Sequence, residues 1–300
     1  MCDAVSSSVF TRPFIPGAAP SVTATAPASH LDLSFLRQIV YEQTQNVLDP
    51  SRDYLFETRL SKLLRSQGIT GLADLVASLQ MRRNPSMERA IAEAMTINET
   101  SFFRDIRPFE LLRKELLPPL IEARRHARSL RIWSAACSTG QEAYSLAMLL
   151  LEHFPSVSTR NIVIEGTDIS SEVVQRASFG TYHRIEMNRG LPARNIVRFF
   201  THEGEDWTVK PEIRRLCNFR EANLCASTLP FSEPFDIIFL RNVMLYFSQE
   251  TRRRLLSNVH RLLAPQGALF LGSSEQPADP AIWTANLSGG TCYYRPRRLA

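Results

Sequence analysis

The stretch Leu130-Arg131-Ile132-Trp133-Ser134-Ala135-Ala136-Cys137-Ser138-Thr139-Gly140-Gln141-Glu142 decides the fold. A β-like apolar run ends in small residues and passes directly into a helical stretch from Gln141. The pattern repeats downstream. NIVIEGTD (161–168) is followed by a helix from Ser171, and LCNFREANL (216–224) and FDIIFLRN (235–242) are followed by a helix over Gln249–Leu263. ALFLGSS (268–274) and TCYYRP (291–296) close the series. Strands alternating with helices imply an α/β fold with a mainly parallel sheet covered on both faces. In such sheets ligands bind at the carboxyl ends of the strands, so the informative residues are those just after each strand.

Upstream of this region the chain changes character. Residues 1–30 are rich in Ser, Ala, Pro and Thr and carry no apolar period, which predicts a flexible tail. From 31 to 100 the pattern is helical, with Leu33, Leu36, Ile39 and Val40 on one face and Leu55, Phe56, Leu60, Leu63 and Leu64 on the next helix. Breaks at Asp49-Pro50, Gly68, Gly71 and Asn84-Pro85 divide this domain into about four short helices. Residues 101–129 form a connecting segment with a helix around Pro108–Arg128, and 130–300 make up the α/β domain. Its polar stretch at about 180–215 is too long for a simple connection and predicts an inserted piece, with antiparallel structure around Glu205–Val209.

Composition narrows the function classes. A hydrophobic fraction of 44% and a charged fraction of 22% are ordinary for a globular chain. No run approaches the roughly 18 apolar residues of a membrane span, and the first residues lack a secretory pattern, so a cytoplasmic protein without membrane insertion is expected. Cys2, Cys137, Cys217, Cys225 and Cys292 are widely spaced and form no metal-ligand pair, which reads as reduced thiols and no metal. The net charge of +5 suits an acidic partner, whether nucleic acid or protein. On the second helix Arg52, Arg59 and Lys62 lie roughly one and two turns apart along a single side and Arg65 extends the charge, a basic stripe that is either a solvated face or a docking surface for an acidic helix.

The strand ends hold the candidate site. The Ser134–Gly140 turn lacks the G-x-G-x-x-G glycines that cradle a pyrophosphate, which disfavours a dinucleotide and leaves room for an adenosine without phosphates. Asp168 follows at the end of the second strand, where a carboxylate can accept from both ribose hydroxyls; it could equally cap the next helix, a task open to Ser170. Asn223-Leu224 could read and cover an adenine, or Asn223 could satisfy local backbone. Arg241-Asn242 places polar groups at the carboxyl rim of the sheet.

These motifs, together with Asn98-Glu99-Thr100-Ser101-Phe102-Phe103-Arg104-Asp105, WSAACSTGQEAYSLAM (133–148) and FLRNVMLYF (239–247), resemble the CheR family of chemotaxis receptor methyltransferases over Leu31–Arg295. The resemblance implies a Rossmann-like S-adenosylmethionine-dependent methyltransferase sheet, a small N-terminal α-helical domain and a small inserted β subdomain. It implies an enzyme that esterifies glutamate side chains on the cytoplasmic helices of chemoreceptors and releases S-adenosylhomocysteine. Cofactor contacts would come from Asn98, Thr100, Arg104, Glu142, Asp168, Asn223, Leu224, Arg241 and Asn242, with Arg104 and Tyr246 nearest the transferred methyl. The basic stripe at Arg52, Arg59, Lys62 and Arg65 would dock the receptor.

Gln141 and Ala143 stand where the family has Glu and Pro, so a looser helix start and a non-catalytic adaptor remain open alternatives. The stretch Thr201–Trp207 is short, which predicts receptor recognition without a C-terminal tethering peptide. A nucleic-acid substrate is disfavoured. Amino-methylating DNA enzymes carry an Asn/Asp-Pro-Pro-aromatic run after the fourth strand, where this chain has Arg241-Asn242-Val243-Met244.

Overall fold

The computed structural model describes residues 27–124, 129–155, 162–277 and 279–297. Helices α1 (His30–Thr44), α2 (Tyr54–Ser66), α3 (Leu72–Met81) and α4 (Pro85–Met95) build the N-terminal domain. Their apolar stripes meet in one cluster in which Leu36, Phe56, Leu60 and Ile91 are fully buried. The chain enters α1 through Ser29, whose hydroxyl accepts from the Asp32 amide while the Asp32 carboxylate accepts from the Ser29 amide. This capping box ends the expected tail before residue 30; its short Asp in place of Glu hides it in the sequence. The remainder of that tail, residues 1–26, lies outside the described residues.

α5 (Arg107–Leu111), a single π-helical turn at Leu112–Leu116 and α6 (Leu117–Ala123) form the connecting segment. The end of the helix expected there, 125–128, also lies outside the described residues. The α/β domain follows with β1 (Leu130–Ala135), α7 (Gln141–His153), β2 (Ile162–Asp168) and α8 (Ser171–Phe179). An insertion carries β3 (Thr181–His183), α9 (Arg184–Met187), α10 (Ala193–Phe199), β4 (Phe200–Glu203), β5 (Asp206–Val209) and α11 (Pro211–Arg214). The chain then returns through β6 (Cys217–Glu221), β7 (Phe235–Leu240), α12 (Gln249–Leu262), β8 (Leu263–Leu271), β9 (Trp283–Ser288) and β10 (Thr291–Pro296).

The main sheet has seven strands in the order β6-β2-β1-β7-β8-β10-β9. Pairing is parallel from β6 to β8 and antiparallel at β10 and β9. Burial on both faces explains the continuous apolar run of β7. Ile237 and Phe239 pack into the core under α7, while Ile238 and Leu240 pack into the core under α12. The order reverses between β1 and β7, and a crevice opens above their carboxyl ends. β9 gives a weak sequence signal because Trp283–Ser288 is a short edge strand: Trp283, Ala285 and Leu287 alternate with polar residues, but only Trp283 is buried.

The inserted piece is larger than Glu205–Val209 suggests. β5 is the central strand of an antiparallel sheet ordered β3-β5-β4, and only Gly204-Glu205 joins β4 to β5.

Arg59 corrects the basic stripe. Its Nη1 donates to the Met95 and Thr96 carbonyls at 2.9 and 3.1 Å, closing the end of α4, so it is half-buried and committed inward. Arg52, Lys62 and Arg65 are exposed, Arg52 from a short turn at Pro50–Arg52 that precedes α2 rather than from the helix itself. Arg59→Ala is therefore expected to lower the urea-unfolding free energy by about 1–3 kcal/mol, and Lys62→Ala to leave it within about 0.5 kcal/mol.

Candidate active site

The turn after β1 reaches the shape of a ligand cradle without the usual glycines. Ala136 and Ser138 adopt φ of 56° and 50°, and Gly140, which precedes α7, has φ of 93°. A left-handed conformation costs a non-glycine residue on the order of 1 kcal/mol. The neighbours hold it there. Asp168 Oδ2 accepts from the Ser138 amide at 2.9 Å, the Cys137 amide donates to the Thr167 carbonyl at 2.9 Å, and Ser138 Oγ donates to the Asn98 carbonyl at 2.7 Å. Phe103, Asp105 and Asn242 share the left-handed region, so the strained backbone gathers around one crevice.

Asp168 is 6% exposed. Burial holds its carboxyl above the usual aspartate range, against the lowering effect of the Ser170, Ser138 and Ile169 amides. Ser170 occupies the N-cap of α8 without a side-chain bond, and the Ser170 amide donates to Asp168 Oδ1 at 3.1 Å. Asp168 thus ties the two loops together while facing the crevice. Burial likewise raises the Cys137 thiol, which stays protonated and unreactive.

At the other end Arg241 forms the hub. Its side chain is 2% exposed, and it donates to Glu142 Oε2 at 3.0 Å, to the Arg104 carbonyl at 3.0 Å and to Asp105 Oδ2 at 2.6 Å. Ser134 Oγ holds the other Glu142 oxygen at 2.7 Å. Arg104 is half-buried, and its Nη1 donates to the Glu99 carbonyl at 2.9 Å.

The substituted helix start is intact: the Tyr144 amide donates to the Gly140 carbonyl at 3.0 Å, and Gln141 Oε1 accepts from Thr139. Ala143 is fully buried in the core at this start.

The sequence-predicted residues Asn98, Thr100, Arg104, Glu142, Asp168, Asn223, Leu224, Arg241, Asn242 and Tyr246 all line this crevice, whose volume is about 880 Å³ with its open mouth included. Arg52, Arg59, Lys62 and Arg65 do not. Asn223 spends its amide on backbone, accepting from the Cys225 amide at 2.8 Å and donating to the Gln43 carbonyl at 2.9 Å. The backbone-satisfying alternative therefore describes it, with one bond crossing to α1.

Sequence reasoning missed Thr44 and Asn46, which reach the crevice from the end of α1, and Glu275 beneath it. Glu275 is 6% exposed and accepts from the amides of Asn242, Met244 and Gly272 at 2.7–2.8 Å, fixing the loop after β7. The available signal was an acid placed three residues after Gly272 at the carboxyl end of β8.

The chain matches the family model described as the CheR methyltransferase SAM binding domain over 98–290, and the CheR methyltransferase all-alpha domain over 31–96. The chain belongs to the CheR methyltransferase family. It is 40% identical over 253 residues to Chemotaxis protein methyltransferase 1 of Pseudomonas aeruginosa, covering 83% of this chain and 91% of that protein. It is 40% identical over 237 residues to the Chemotaxis protein methyltransferase of Vibrio parahaemolyticus (76% and 83% covered), and 35% identical over 246 residues to that of Escherichia coli (80% and 82%).

This CheR methyltransferase has an N-terminal all-α domain joined to a mostly parallel methyltransferase sheet, and its cofactor is S-adenosylmethionine. The crevice fits that molecule. A buried carboxylate, Asp168, sits among Ala136, Ile169 and Leu224 at one end, while Glu142 and Arg104 offer opposite charges at the other, suited to a nucleoside joined to a zwitterionic amino acid.

Glu275→Gln replaces one of the two acceptor oxygens with an NH2 group, which donates and would face a backbone N–H. The variant is expected to lose about 2–3 kcal/mol of unfolding free energy by urea denaturation. An unchanged midpoint would show that the loop after β7 is held by other contacts.

Proposed function

We propose that this enzyme transfers the methyl group of S-adenosylmethionine to glutamate side chains on the cytoplasmic helices of chemoreceptors, forming methyl esters for sensory adaptation. The observation that carries the reading is the absence of a free general base among the described residues lining the crevice. No histidine lines it, Glu142 is held by Arg241 and Ser134, Asp168 is held by backbone amides, and Glu99 is paired with Arg189, which holds its carboxyl below the usual glutamate range. An amine or hydroxyl acceptor must lose a proton during transfer, whereas a glutamate, with an ordinary pKa of about 4.3, arrives ionised at neutral pH. The names of the relatives point to the same setting.

S-adenosylmethionine supplies a methyl carbon activated by its sulfonium charge. Asp168, Glu142, Asn98, Thr100 and Asn242, all lining the crevice, would hold it, and Asn223, Leu224 and Arg241 would wall or brace its site. The remaining work belongs to the chain. A carboxylate must be drawn out of water and aimed, and orientation of two reactants contributes on the order of 7–11 kcal/mol in favourable cases. Arg104 uses one nitrogen on Glu99, leaving further N–H groups for the incoming carboxylate, while Tyr246 lines the approach. Transfer cancels opposite charges, so the wall formed by α1 and the loop after β7 favours it by excluding water.

Recognition begins outside the crevice. Arg52, Lys62 and Arg65 remain exposed for an acidic receptor helix, with Arg59 withdrawn from that set. The two-residue Gly204-Glu205 turn leaves no loop extension to grip a tether, which supports recognition of the receptor without a C-terminal peptide.

The test is incubation with methyl-labelled S-adenosylmethionine and a receptor cytoplasmic fragment, followed by mapping. Base-labile label on glutamates is expected, and Arg104→Ala is expected to lower its rate on the order of 100-fold, the scale of a misaimed reactant. Base-stable label, or a wild-type rate in Arg104→Ala, would contradict the assignment.

A further inference from the structure

The crevice opens beside a surface that neither the cofactor site nor the stripe on α2 uses. Just past α1 the Val47 amide donates to the Tyr246 carbonyl at 2.8 Å, and Asn46 and Phe247 form an isolated antiparallel bridge. This pairing joins the α1–α2 connection to the loop that carries Tyr246. It leaves two apolar side chains in solvent on either side of that residue, Val47 at 55% and Leu245 at 45% exposure. The first turns of α12 rise directly behind them. Its Ser248 cap fixes the helix start by accepting from the Thr251 amide at 3.2 Å. Arg252 reaches back to the Leu245 carbonyl at 3.4 Å, and Arg254 reaches across to the Gln45 side chain at 3.4 Å. Arg253 and Arg254 are exposed, and no acidic side chain is paired with either among the described ion pairs.

Arg253 and Arg254 lie past the first turn of α12, beyond reach of its dipole, and among the described ion pairs neither is joined to Glu250, the acid one turn before them. No ion pair within the helix therefore holds Arg253 or Arg254. An apolar pair flanked by unpaired cations is instead the complement of an amphipathic acidic helix, and Tyr246 places it at the mouth of the crevice.

We propose that Val47, Leu245, Arg253 and Arg254 form a docking ridge that receives the acidic receptor helix on the Tyr246 side of the crevice, opposite in origin to the stripe on α2. Two basic elements on different domains then hold one helix across the opening, so a glutamate between its contact points is presented to Arg104. The ridge rests on the receptor-glutamate reading given above.

The experiment compares Arg253→Glu/Arg254→Glu with a control of equal charge change on the inserted segment, Arg214→Glu/Arg215→Glu. Methylation of a receptor cytoplasmic fragment is measured at about 50 and 500 mM salt, alongside calorimetric affinity for S-adenosylmethionine. The ridge variant is expected to raise the receptor KM about 10-fold at low salt, with kcat and cofactor affinity unchanged and the difference shrinking at high salt. Val47→Asp is expected to raise KM in the same direction. An unchanged KM in an active enzyme, or an equal rise in the control pair, overturns the ridge alone. Failure of the wild type to esterify receptor glutamates overturns the ridge together with the substrate reading. Loss of self-association in sedimentation, with receptor KM preserved, assigns the surface to a second copy and overturns the proposal.

Discussion

One buried guanidinium organises the site. Arg241 leaves the carboxyl end of β7 with 2% of its side chain exposed, and it is matched by two carboxylates, Glu142 and Asp105, and one carbonyl, that of Arg104. Removing a charge from water costs several kcal/mol unless its partners are close and well aimed, so this placement is stable only while all three remain in position. Glu142 comes from the first turn of α7, Arg104 and Asp105 from the segment linking the domains, and Arg241 from the central sheet. A single charge balance therefore sets where the helical domain's linker crosses the sheet.

The strained backbone follows from that constraint. Phe103 and Asp105 sit in left-handed conformations on one side of the crevice, Ala136 and Ser138 on a second, and Asn242 on a third. Three of the five backbone amides are held by a side chain from elsewhere: Phe103 by Ser145 Oγ, Ser138 by Asp168, Asn242 by Glu275. Glycine would relieve the strain but would also free these loops in the unfolded and the folded chain. Small non-glycine residues keep the loops rigid and leave space for a ligand. The N-terminal domain adds a further wall through Val47 to Tyr246, Asn223 to Gln43 and Glu93 to the Ser171 amide, so the crevice belongs to both domains.

The α/β class was legible because β1, β2, β7 and their helices carry strong periodic signals, and β7 is apolar on both faces. The crevice was legible because its residues fall in short motifs at strand ends, and the resemblance named them in order. Other features were hidden by physics that spacing does not encode. β9 is a short edge strand whose alternating Trp283, Ala285 and Leu287 bury only the first. Arg59 lies on the charged face of α2 by periodicity, yet its long side chain folds back to cap α4. Glu275 acts on backbone amides contributed by another strand end, a partnership no local motif announces.

The proposed acceptor brings its own negative charge to a crevice with no free base among the described residues. The pH dependence of kcat for methyl transfer to a receptor fragment tests this most directly. A plateau from about pH 6 to 9 is predicted, because a carboxylate is ionised throughout that range. A rate that climbs through an apparent pKa near about 7 would reveal a proton-accepting group in the enzyme and contradict the account.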